Sequence, residues 1–360
     1  NEMHGFILFK EDGSYFTDYI SWQNEFGNID YNGVNSCDLL RSEEYDRYIV
    51  KTGMKVRAGL PSSNLIYLSN AFPYEGELFF YTLGDCIIKR VFNTEPVCHV
   101  SNAAASGLYD IENKRWVAEI LDLVKYRINM PKVGEEKISV NYFDKTVHLF
   151  PAIGDYQAAL LGAGIKSFND ISFNLGTGAQ VSVLSDKVVF SDKYQVLPFF
   201  GDNFLFRIAH LPSGRALNVY FRFFKDILGC FDFSVDDSRI WDTILKNVKE
   251  DTDNIICGMG FFENSADTYS KGYIKDIGEF EFTFSNLVTA AIKQEADNFI
   301  KASYMVCDNR DAIERVIFSG GIAKKIEFIR KRITDSFDEK VDVIMAENET
   351  LLGLDKYSNL

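Results

Sequence analysis

The alternation of apolar and polar residues predicts a chain of mixed strands and helices. Gly5–Gly13 is typical of a strand that ends in an Asp-Gly turn. Apolar residues at helical spacing predict an amphipathic helix over Trp116–Arg127, whereas the aromatic-rich run Leu78–Lys89 fits either a helix or a strand. The same patterns predict helices over Glu43–Thr52, Asn64–Phe72, Tyr156–Ala163, Ala216–Leu228, Phe284–Ser303 and Lys324–Phe337, and strands over Val147–Ile153, around Val188 and Phe204, and over Arg315–Phe318.

Two glycine turns divide this pattern. Gly176-Thr177-Gly178 lies between two alternating, strand-like runs, and Ser319-Gly320-Gly321 lies between a buried strand and a helix. With 360 residues the chain is long enough for two domains. We expect a first domain over 1–166 and a second over 167–360, in an α/β or α+β fold with two lobes.

Composition narrows the classes of function. The formal net charge of −14 opposes binding to nucleic acid or to an anionic membrane, and no apolar run approaches membrane-spanning length. Six scattered cysteines and four histidines form no metal-ligand spacing, so we expect no protein-bound metal, and free thiols indicate a cytoplasmic protein. The sequence opens on Asn1 with its first methionine at position 3, which indicates a fragment or a processed start.

The glycine turns are the first candidates for chemistry. Neither Gly176 nor Gly178 carries a Cβ, so backbone N–H groups at this tip can approach an anion, although a plain turn has the same sequence. Gly320-Gly321 ahead of a helix is the usual geometry for a backbone that approaches a ligand. The chain lacks the P-loop, the Rossmann fingerprint and the Gly-x-Ser-x-Gly elbow.

Polar residues elsewhere could serve a hydroxylated substrate. Asp155, directly ahead of a helix, could accept the proton of a substrate hydroxyl, or it could be a plain helix cap. His4 could lie over a polyol, or it could be structural. Trp22-Gln23-Asn24 combines a flat apolar face with two amides, as sugar sites do, but a partly buried tryptophan at a strand end is the simpler interpretation.

Taken in order, these segments resemble the FGGY family of carbohydrate kinases over nearly the whole chain. The similar segments are Met3-His4-Gly5 with Trp22-Gln23-Asn24, the mid-domain stretch from Leu83-Gly84-Asp85 through His99–Asp110 to Trp116, Gly154-Asp155, Gly176-Thr177-Gly178, Ser319–Lys324 and Glu349–Gly353. Trp22-Gln23, Pro198-Phe199-Phe200 and Ser213-Gly214-Arg215 lean towards the sedoheptulokinase-like branch.

The resemblance implies two actin-like (ribonuclease H-like) lobes around a cleft. It also implies transfer of the γ-phosphoryl group of Mg-ATP to a hydroxyl of a ketose or polyol, with ATP and Mg²⁺ as cofactors. Asp155 would be the general base. The sugar side would comprise Met3, His4, Trp22, Gln23, Asn24 and Gln157, and the nucleotide side Gly176, Thr177, Gly178, Gly214, Gly260, Gly320, Gly321 and Lys324.

The sequence also departs from the family pattern. Family members open with an Asp-x-Gly-Thr phosphate hairpin ahead of the Met-His-Gly segment, so this resemblance implies an N-terminally truncated first lobe. The family's Trp-x-Asp-x-Arg segment reads Trp22–Phe26 here, so Asn24 carries no charge and Phe26 replaces the arginine. The family's Gly-Thr-Arg loop reads Glu263-Asn264-Ser265, and the asparagine that closes the adenosine motif is Lys325.

Two hypotheses follow from these departures. The first is a sugar kinase whose record is clipped at the start. The second is a degenerate, inactive member that binds a sugar or a nucleotide. Another actin-like ATPase, such as a chaperone-type ATPase, would not explain Met3-His4-Gly5 or Trp22. The expected partners are a small sugar and ATP, and neither nucleic acid nor a membrane. A homodimer is a further possibility.

Overall fold

A computed structural model describes residues 2–250, 254–262, 271–337 and 340–359. The chain divides into two compact units. The first unit comprises Asn1–Leu161, Ser185–Leu205 and Thr350–Leu360, and the second comprises Gly162–Leu184 and Phe206–Glu349. This division differs from the boundary expected after residue 166, because two later segments return to the first unit.

Strands and helices of the described residues follow one another in mixed order. The strands are β1 Ile7–Lys10, β2 Glu77–Tyr81, β3 Tyr109–Asp110, β4 Arg115–Trp116, β5 Arg127–Asn129, β6 Ile138–Tyr142, β7 Lys145–Leu149, β8 Asp170–Leu175, β9 Ala179–Ser185, β10 Gln195–Pro198, β11 Phe204–Leu211, β12 Ile256–Gly258, β13 Tyr273–Lys275, β14 Arg315–Ser319 and β15 Asp342–Met345. The helices are α1 Ser36–Leu40, α2 Asp46–Val50, α3 Pro61–Ala71, α4 Leu83–Phe92, α5 Val100–Ala105, α6 Ala118–Leu121, α7 Asp155–Ala163, α8 Gly214–Cys230, α9 Asp237–Lys246, α10 Phe284–Val306, α11 Gly321–Lys325, α12 Glu327–Thr334 and α13 Glu349–Ser358.

The first unit is built on a three-stranded sheet in the order β1-β2-β5. Strands β1 and β2 are antiparallel, with Leu8 opposite Phe80, and β2 is parallel to β5. Alternate side chains of these strands enter one core, where the rings of Phe6 and Phe80 stack with centroids 5.3 Å apart. Burial of such rings is the main favourable contribution of this sheet to the free energy of folding.

The second unit contains a sheet in which β11, β9, β8, β14 and β15 lie in this order. Strands β8 and β9 form an antiparallel hairpin, whereas β14 lies parallel to β8 and to β15. Side chains on both faces of the central strands β8 and β14 are mostly buried. At one end of the pair, the Arg315 guanidinium binds both carboxylate oxygens of buried Asp170, with Nε 2.7 Å from Oδ1.

Four sequence predictions are resolved or corrected in detail. The ambiguous run Leu78–Lys89 contains both elements: β2 ends at Tyr81, and α4 begins after Thr82, which forms a capping box with Asp85. The helix predicted over Trp116–Arg127 is wrong apart from α6, because Trp116 pairs in β4 and the Val117 N–H donates to the Leu108 carbonyl at 2.8 Å.

The other two corrections concern chain breaks. No strand forms around Val188, because the chain turns after β9 through hydrogen bonds between Ser185 and Lys187. The helix predicted over Lys324–Phe337 is interrupted at Ile326, whose φ of −113° and ψ of 89° separate α11 from α12. The strand predicted at Phe204 and the helices predicted from Ala216 and Phe284 are confirmed as β11, α8 and α10.

Candidate functional site

The predicted phosphate hairpin of the second unit joins β8 to β9. Its strands are in register, with Leu175 opposite Ala179, and the Gly176 N–H donates to the Gly178 carbonyl at 3.3 Å. A Cβ on Gly178 would meet no atom within 4 Å, and one on Gly176 would first meet Gly178 O at 3.6 Å. Neither glycine has a positive φ. These two glycines therefore contribute open space beside the backbone, and the turn does not require a left-handed conformation at either of them.

Donors at this tip are available for a ligand. Thr177 and Gly178 are exposed, and the hydrogen bonds found in the described residues use neither of their N–H groups. Two adjacent free N–H groups beside an open glycine backbone are the type of donor that binds phosphate oxygens. The hairpin can thus serve an anion without any rearrangement of its own strands.

Two other predicted glycines lie against the base of this hairpin. Gly320 has a φ of +90°, and a Cβ there would lie 2.4 Å from the Leu175 carbonyl oxygen. The Gly214 N–H donates to Gly176 O at 3.1 Å, and a Cβ on Gly214 would lie 3.0 Å from the same oxygen. Strand β14 ends and helix α8 begins beside the hairpin. The backbone at Gly320 and Gly214 therefore lies so close to the hairpin that a side chain at either position would crowd it.

The remaining nucleotide-side predictions are less closely grouped. Gly321 borders open space, and Gly260 is buried directly after β12. Lys324 Nζ lies 3.2 Å from Glu347 Oε1 in a partly exposed ion pair, which adds little stability. Glu263-Asn264-Ser265, where the sequence departs from the family loop, lies outside the described residues.

Sequence reasoning missed a buried acid behind the hairpin. Glu295 of α10 is fully buried, and burial raises the pKa of its carboxyl well above the usual range, although the neighbouring Ser213 hydroxyl acts in the opposite direction. Neither side chain completes a hydrogen bond of standard geometry. Ser213 immediately precedes Gly214. The spacing Ile292, Glu295, Phe299 on the apolar face of the predicted helix is the signal that could have revealed this residue.

In the first unit, Asp155 is the first residue of α7 and is exposed. Its Oδ1 accepts a hydrogen bond from the Tyr156 N–H at 2.8 Å. This contact satisfies one donor of the first helical turn, as the simpler interpretation expected. The carboxylate still faces solvent, so the capping role and a role as general base are compatible.

The turn that precedes Asp155 is held by the mid-domain stretch. The Gly154 N–H donates to Ser101 Oγ at 2.9 Å, and Ser101 Oγ lies 2.7 Å from His99 Nδ1. Burial lowers the pKa of His99 to about 4, so this ring is neutral. Its Nδ1 accepts a hydrogen bond from the Ser101 N–H at 3.2 Å and is therefore the acceptor of the Ser101 hydroxyl as well. The Asn102 side chain donates to the Ala152 carbonyl. Ser101 and Asn102 therefore position the predicted base, a role that their sequence did not reveal.

The closing segment supports the same helix from the other side. A Cβ on Gly353 of α13 would lie 1.8 Å from the Ala158 carbonyl oxygen of α7, so only glycine allows this approach. Lys356 Nζ donates to Leu161 O at 3.0 Å, and the Tyr357 hydroxyl donates to Pro151 O at 3.3 Å. The resemblance of Glu349–Gly353 to the family's closing segment thus has a structural counterpart: it supports the Asp155 helix.

The Met3-His4-Gly5 segment lies beside the Asp155 turn. Met3 is buried, and its sulfur would be 2.9 Å from a Cβ on Gly154. His4 adopts a φ of 63°, and its Nδ1 lies 2.7 Å from the Ala105 carbonyl oxygen. Burial and the nearby charges of Glu2 and Asp155 raise the pKa of Tyr19, whose hydroxyl donates to Glu2 at 3.2 Å. Tyr19 is therefore a further neighbour of this segment that the sequence did not indicate.

Trp22, Gln23 and Asn24 occupy one exposed turn. Trp22 is 42% exposed and lies in a turn two residues after Ile20, which pairs with Phe6. Asn24 Oδ1 accepts from the Ser21 N–H at 2.8 Å and so closes the turn, and Gln23 is exposed beside it. Phe26, at the family's arginine position, stacks on Tyr67 against the core.

Gln157 is the predicted substrate residue that lies deepest. Its side chain is fully buried, and its Nε2 donates to the Pro198 carbonyl at 3.2 Å. Among the described residues, its Oε1 has no hydrogen-bond partner, and it would be 2.5 Å from a Cβ on Gly154. The side chain thus lies directly behind the turn that carries Asp155.

The donor set bears on the expected Mg²⁺. Within the described ranges, no group of three or more His, Cys, Asp or Glu side chains could hold a metal ion. Mg²⁺ in proteins is commonly bound through one or two carboxylates together with water and substrate phosphates, so it does not require a cluster of three side chains. Across the same ranges, no helix is long and apolar enough to cross a membrane.

Comparisons with known proteins concern the sequence and the fold. No family model matches the sequence. A glycerol kinase from Thermococcus kodakarensis is 26% identical over 228 residues, which are 60% of this chain and 43% of that protein. The chain therefore spans less than half the length of this curated relative.

Solved structures match almost the entire chain. A ligand-bound xylulose kinase from Lactobacillus acidophilus has a TM-score of 0.80 at 17% identity and covers 99% of this chain and 74% of its own. A gluconate kinase from the same organism has a TM-score of 0.81 at 17% identity, with 99% and 73% covered. The chain has the two-lobed, actin-like ATPase fold of FGGY carbohydrate kinases, which confirms the predicted fold class.

The sequence match to glycerol kinase and the fold together support the FGGY carbohydrate kinase family. The sedoheptulokinase-like branch and the truncated first lobe stay predictions.

Proposed function

We propose that this protein is an ATP-dependent carbohydrate kinase that phosphorylates a hydroxyl of a ketose or polyol of the sedoheptulose or xylulose type. The observation that supports this best is the exposed Asp155, at the start of a helix that Ser101, Asn102 and Gly353 hold in place. A fixed, solvent-facing carboxylate is what a general base requires.

In the proposed reaction, the Asp155 carboxylate accepts the proton of the acceptor hydroxyl. The hydroxyl oxygen then forms a bond to the γ-phosphorus, the bond from the γ-phosphorus to the bridging oxygen breaks, and ADP leaves. Mg²⁺ supplied with ATP neutralises charge on the phosphates.

The nucleotide side of the proposal rests on the glycine hairpin. The free N–H groups of Thr177 and Gly178 would donate to phosphate oxygens, and the open space beside Gly178 and Gly321 would admit them. Gly214 and Gly320 keep the hairpin fixed from behind. Gly260 and Lys324 are kept as further candidates on the nucleotide side.

The acceptor side rests on the exposed Trp22 turn and on His4. The indole face can stack on the C–H face of a sugar, while Gln23, Asn24 and His4 would contact hydroxyls. Met3 and Gln157 are buried, so we assign them to the support of Gly154 behind this surface. The free cysteines fit a cytoplasmic location.

Release of ADP tests the proposal. The protein at its full natural length is assayed with Mg-ATP and a panel of glycerol, xylulose, sedoheptulose and gluconate, beside the variants Asp155→Asn and Asp186→Asn. We expect acceptor-dependent turnover that falls at least about 100-fold in Asp155→Asn, because a general base contributes this much. Asp186 is an exposed control carboxylate of the same unit and should have no effect.

Turnover that is equal in wild type and Asp155→Asn would refute Asp155 as the base. A second function is favoured by Phe26, which packs into the core where the family carries an arginine. In this alternative the protein binds a sugar or nucleotide without phosphoryl transfer. ATP binding in calorimetry together with no turnover on the whole panel would favour it and reject the kinase.

A further inference from the structure

Tyr19 lies where two chain segments of the proposed acceptor side run next to each other. The Phe6 N–H donates to the Ile20 carbonyl at 3.0 Å, and the Ile20 N–H donates to the Phe6 carbonyl at 2.9 Å. These two hydrogen bonds fix Tyr19 beside Gly5, where a Cβ would overlap the Tyr19 hydroxyl oxygen. Gly5 therefore allows this hydroxyl to lie directly on the backbone of the Met3-His4-Gly5 segment.

The ring of Tyr19 is anchored, and its hydroxyl is bound to an acid. The hydroxyl donates to Glu2 Oε2 at 3.2 Å, and both residues are half-buried. The ring packs against a buried cluster of Ile7, Phe9, Tyr81 and Cys86. A hydroxyl on a fixed ring loses little conformational freedom when it contacts a ligand.

The surroundings of this hydroxyl are acidic. Burial raises the pKa of Tyr19, and the carboxylates of Glu2 and Asp155 raise it further, so the phenol keeps its proton. The backbone geometry agrees with this proximity, because a Cβ on Gly154 would lie 2.9 Å from the Met3 sulfur. Tyr19 and Glu2 therefore lie on the side of the Met3-His4-Gly5 segment that serves Asp155.

Tyr19 and Glu2 offer only hydrogen-bond acceptors to a ligand. A neutral phenol has one proton, and Tyr19 donates it to Glu2. The remaining lone pairs of the phenol oxygen and of the Glu2 carboxylate can only accept. Sugar and polyol hydroxyls have protons to donate to these groups. The carboxylate of a sugar acid has none, and it carries the same charge as Glu2.

We propose that Tyr19 and Glu2 form a hydroxyl-binding pair that selects a neutral acceptor and disfavours a sugar acid such as gluconate. This inference rests on the proposed function, because it concerns the acceptor side of the same site. It adds two side chains to that side and assigns them the discrimination between two classes of acceptor.

Acceptor specificity of the protein at its full natural length tests the pair. Values of kcat and KM are measured with glycerol, xylulose, sedoheptulose and gluconate in wild type, Glu2→Gln and Tyr19→Phe. Glutamine keeps an oxygen for the Tyr19 hydroxyl but removes the charge, so kcat/KM for gluconate should rise about 10-fold relative to the neutral acceptors. Phenylalanine keeps the ring, so KM for the preferred neutral acceptor should rise about 10-fold, with kcat changed less than about 3-fold. KM for ATP should stay the same in both variants.

Tyr81 and Glu95 provide the matched control. The Tyr81 hydroxyl donates to Glu95 Oε2 at 2.9 Å, and the ring belongs to the same buried cluster. The acids that act on this hydroxyl are Glu95 and Asp85, and Asp155 is not among them. Tyr81→Phe and Glu95→Gln should therefore leave acceptor specificity unchanged. Melting temperatures identify any variant whose folding is impaired.

Acceptor binding without ATP, measured by calorimetry, separates this proposal from the proposed function. Altered acceptor affinity in Glu2→Gln and Tyr19→Phe, with no turnover in wild type, would support the pair and reject the kinase. Turnover that requires Asp155 but shows the same specificity in wild type and both variants would overturn the pair and leave the kinase intact. A wild type that prefers gluconate, or that binds none of the acceptors, would also overturn the pair.

Discussion

The two units build their candidate residues from different materials. In the second unit, the candidates are backbone groups. Gly214 and Gly320 let the backbone pack closely against the hairpin, and Gly176 and Gly178 leave open space beside its free N–H groups. In the first unit, the candidates are side chains: Asp155, His4, Asn24 and Trp22. Of these, the first three already make structural contacts as well.

This difference sets what each unit requires of its sequence. Any phosphate presents the same oxygens to backbone N–H groups, so a glycine hairpin needs no particular side chain. An acceptor surface must match one arrangement of hydroxyls, so its side chains are free to differ between substrates. We therefore expect changes in the second unit to affect stability and nucleotide binding, and changes in the first to affect the choice and turnover of the acceptor.

The largest effect should come from Gly320→Ala. Its φ of +90° and the 2.4 Å approach of a Cβ to Leu175 O would force the β14 turn away from the hairpin. We expect a loss of about 3 kcal/mol or more in the free energy of unfolding, measured by urea denaturation. Gly178→Ala is the matched control, because a Cβ there meets nothing within 4 Å.

In Gly178→Ala, stability should be unchanged while ATP affinity, measured by calorimetry, falls about 10-fold, because the methyl group occupies the approach of the phosphate. If Gly178→Ala binds ATP as wild type does, the hairpin is only a turn. If Gly320→Ala is as stable as wild type, the hairpin does not depend on this close packing.

A smaller effect, dependent on pH, is expected for Glu295→Gln. Burial raises the pKa of Glu295 in the folded state, so the group is protonated there while the unfolded chain ionises above about pH 4.5. Wild type should therefore lose about 1.4 kcal/mol per pH unit above that value, until the folded-state pKa is reached. Glutamine does not titrate, so the variant should gain stability relative to wild type as pH rises from 5 to 8.

Thermal unfolding in parallel buffers measures this difference. A constant difference between the two proteins from pH 5 to 8 would mean that Glu295 has an ordinary pKa when folded. Because Ser213 precedes Gly214, ATP affinity of the same variant shows whether this buried pair also positions the hairpin.

The smallest effect should come from Trp22→Ala in the first unit. The side chain is 42% exposed, so stability should hardly change, whereas loss of a stacking surface should raise KM for the acceptor about 10-fold. KM for ATP should stay the same. Phe72→Ala removes another exposed aromatic ring from this unit and serves as control. Equal acceptor KM values in Trp22→Ala and wild type would remove Trp22 from the acceptor surface.

Local patterns in the sequence predicted much of the fold. Alternation of polar and apolar residues predicted the strands of the glycine hairpin, and helical spacing predicted α8 and α10. The apolar run of β14 predicted a buried strand. In each case the side-chain pattern corresponds to the faces that the element buries. The Trp116–Arg127 segment has a similar helical spacing of apolar residues. Trp116 nevertheless pairs in β4, and its Nε1 donates to the Pro131 carbonyl at 3.0 Å. Burial of Val117 and Ile120 satisfies the pattern without a long helix, so the prediction was wrong there.

By itself, the sequence determined the order of the glycine turns and of the Asp155 segment along the chain, and hence the fold class. Each of these segments can be recognised from the residues directly beside it in the sequence. Only the tertiary structure decided what supports them: Ser101 behind Gly154, Gly353 against α7, Glu295 beside Ser213. These partners are 53, 195 and 82 residues apart from one another in numbering, and a contact between distant residues leaves no local pattern to read.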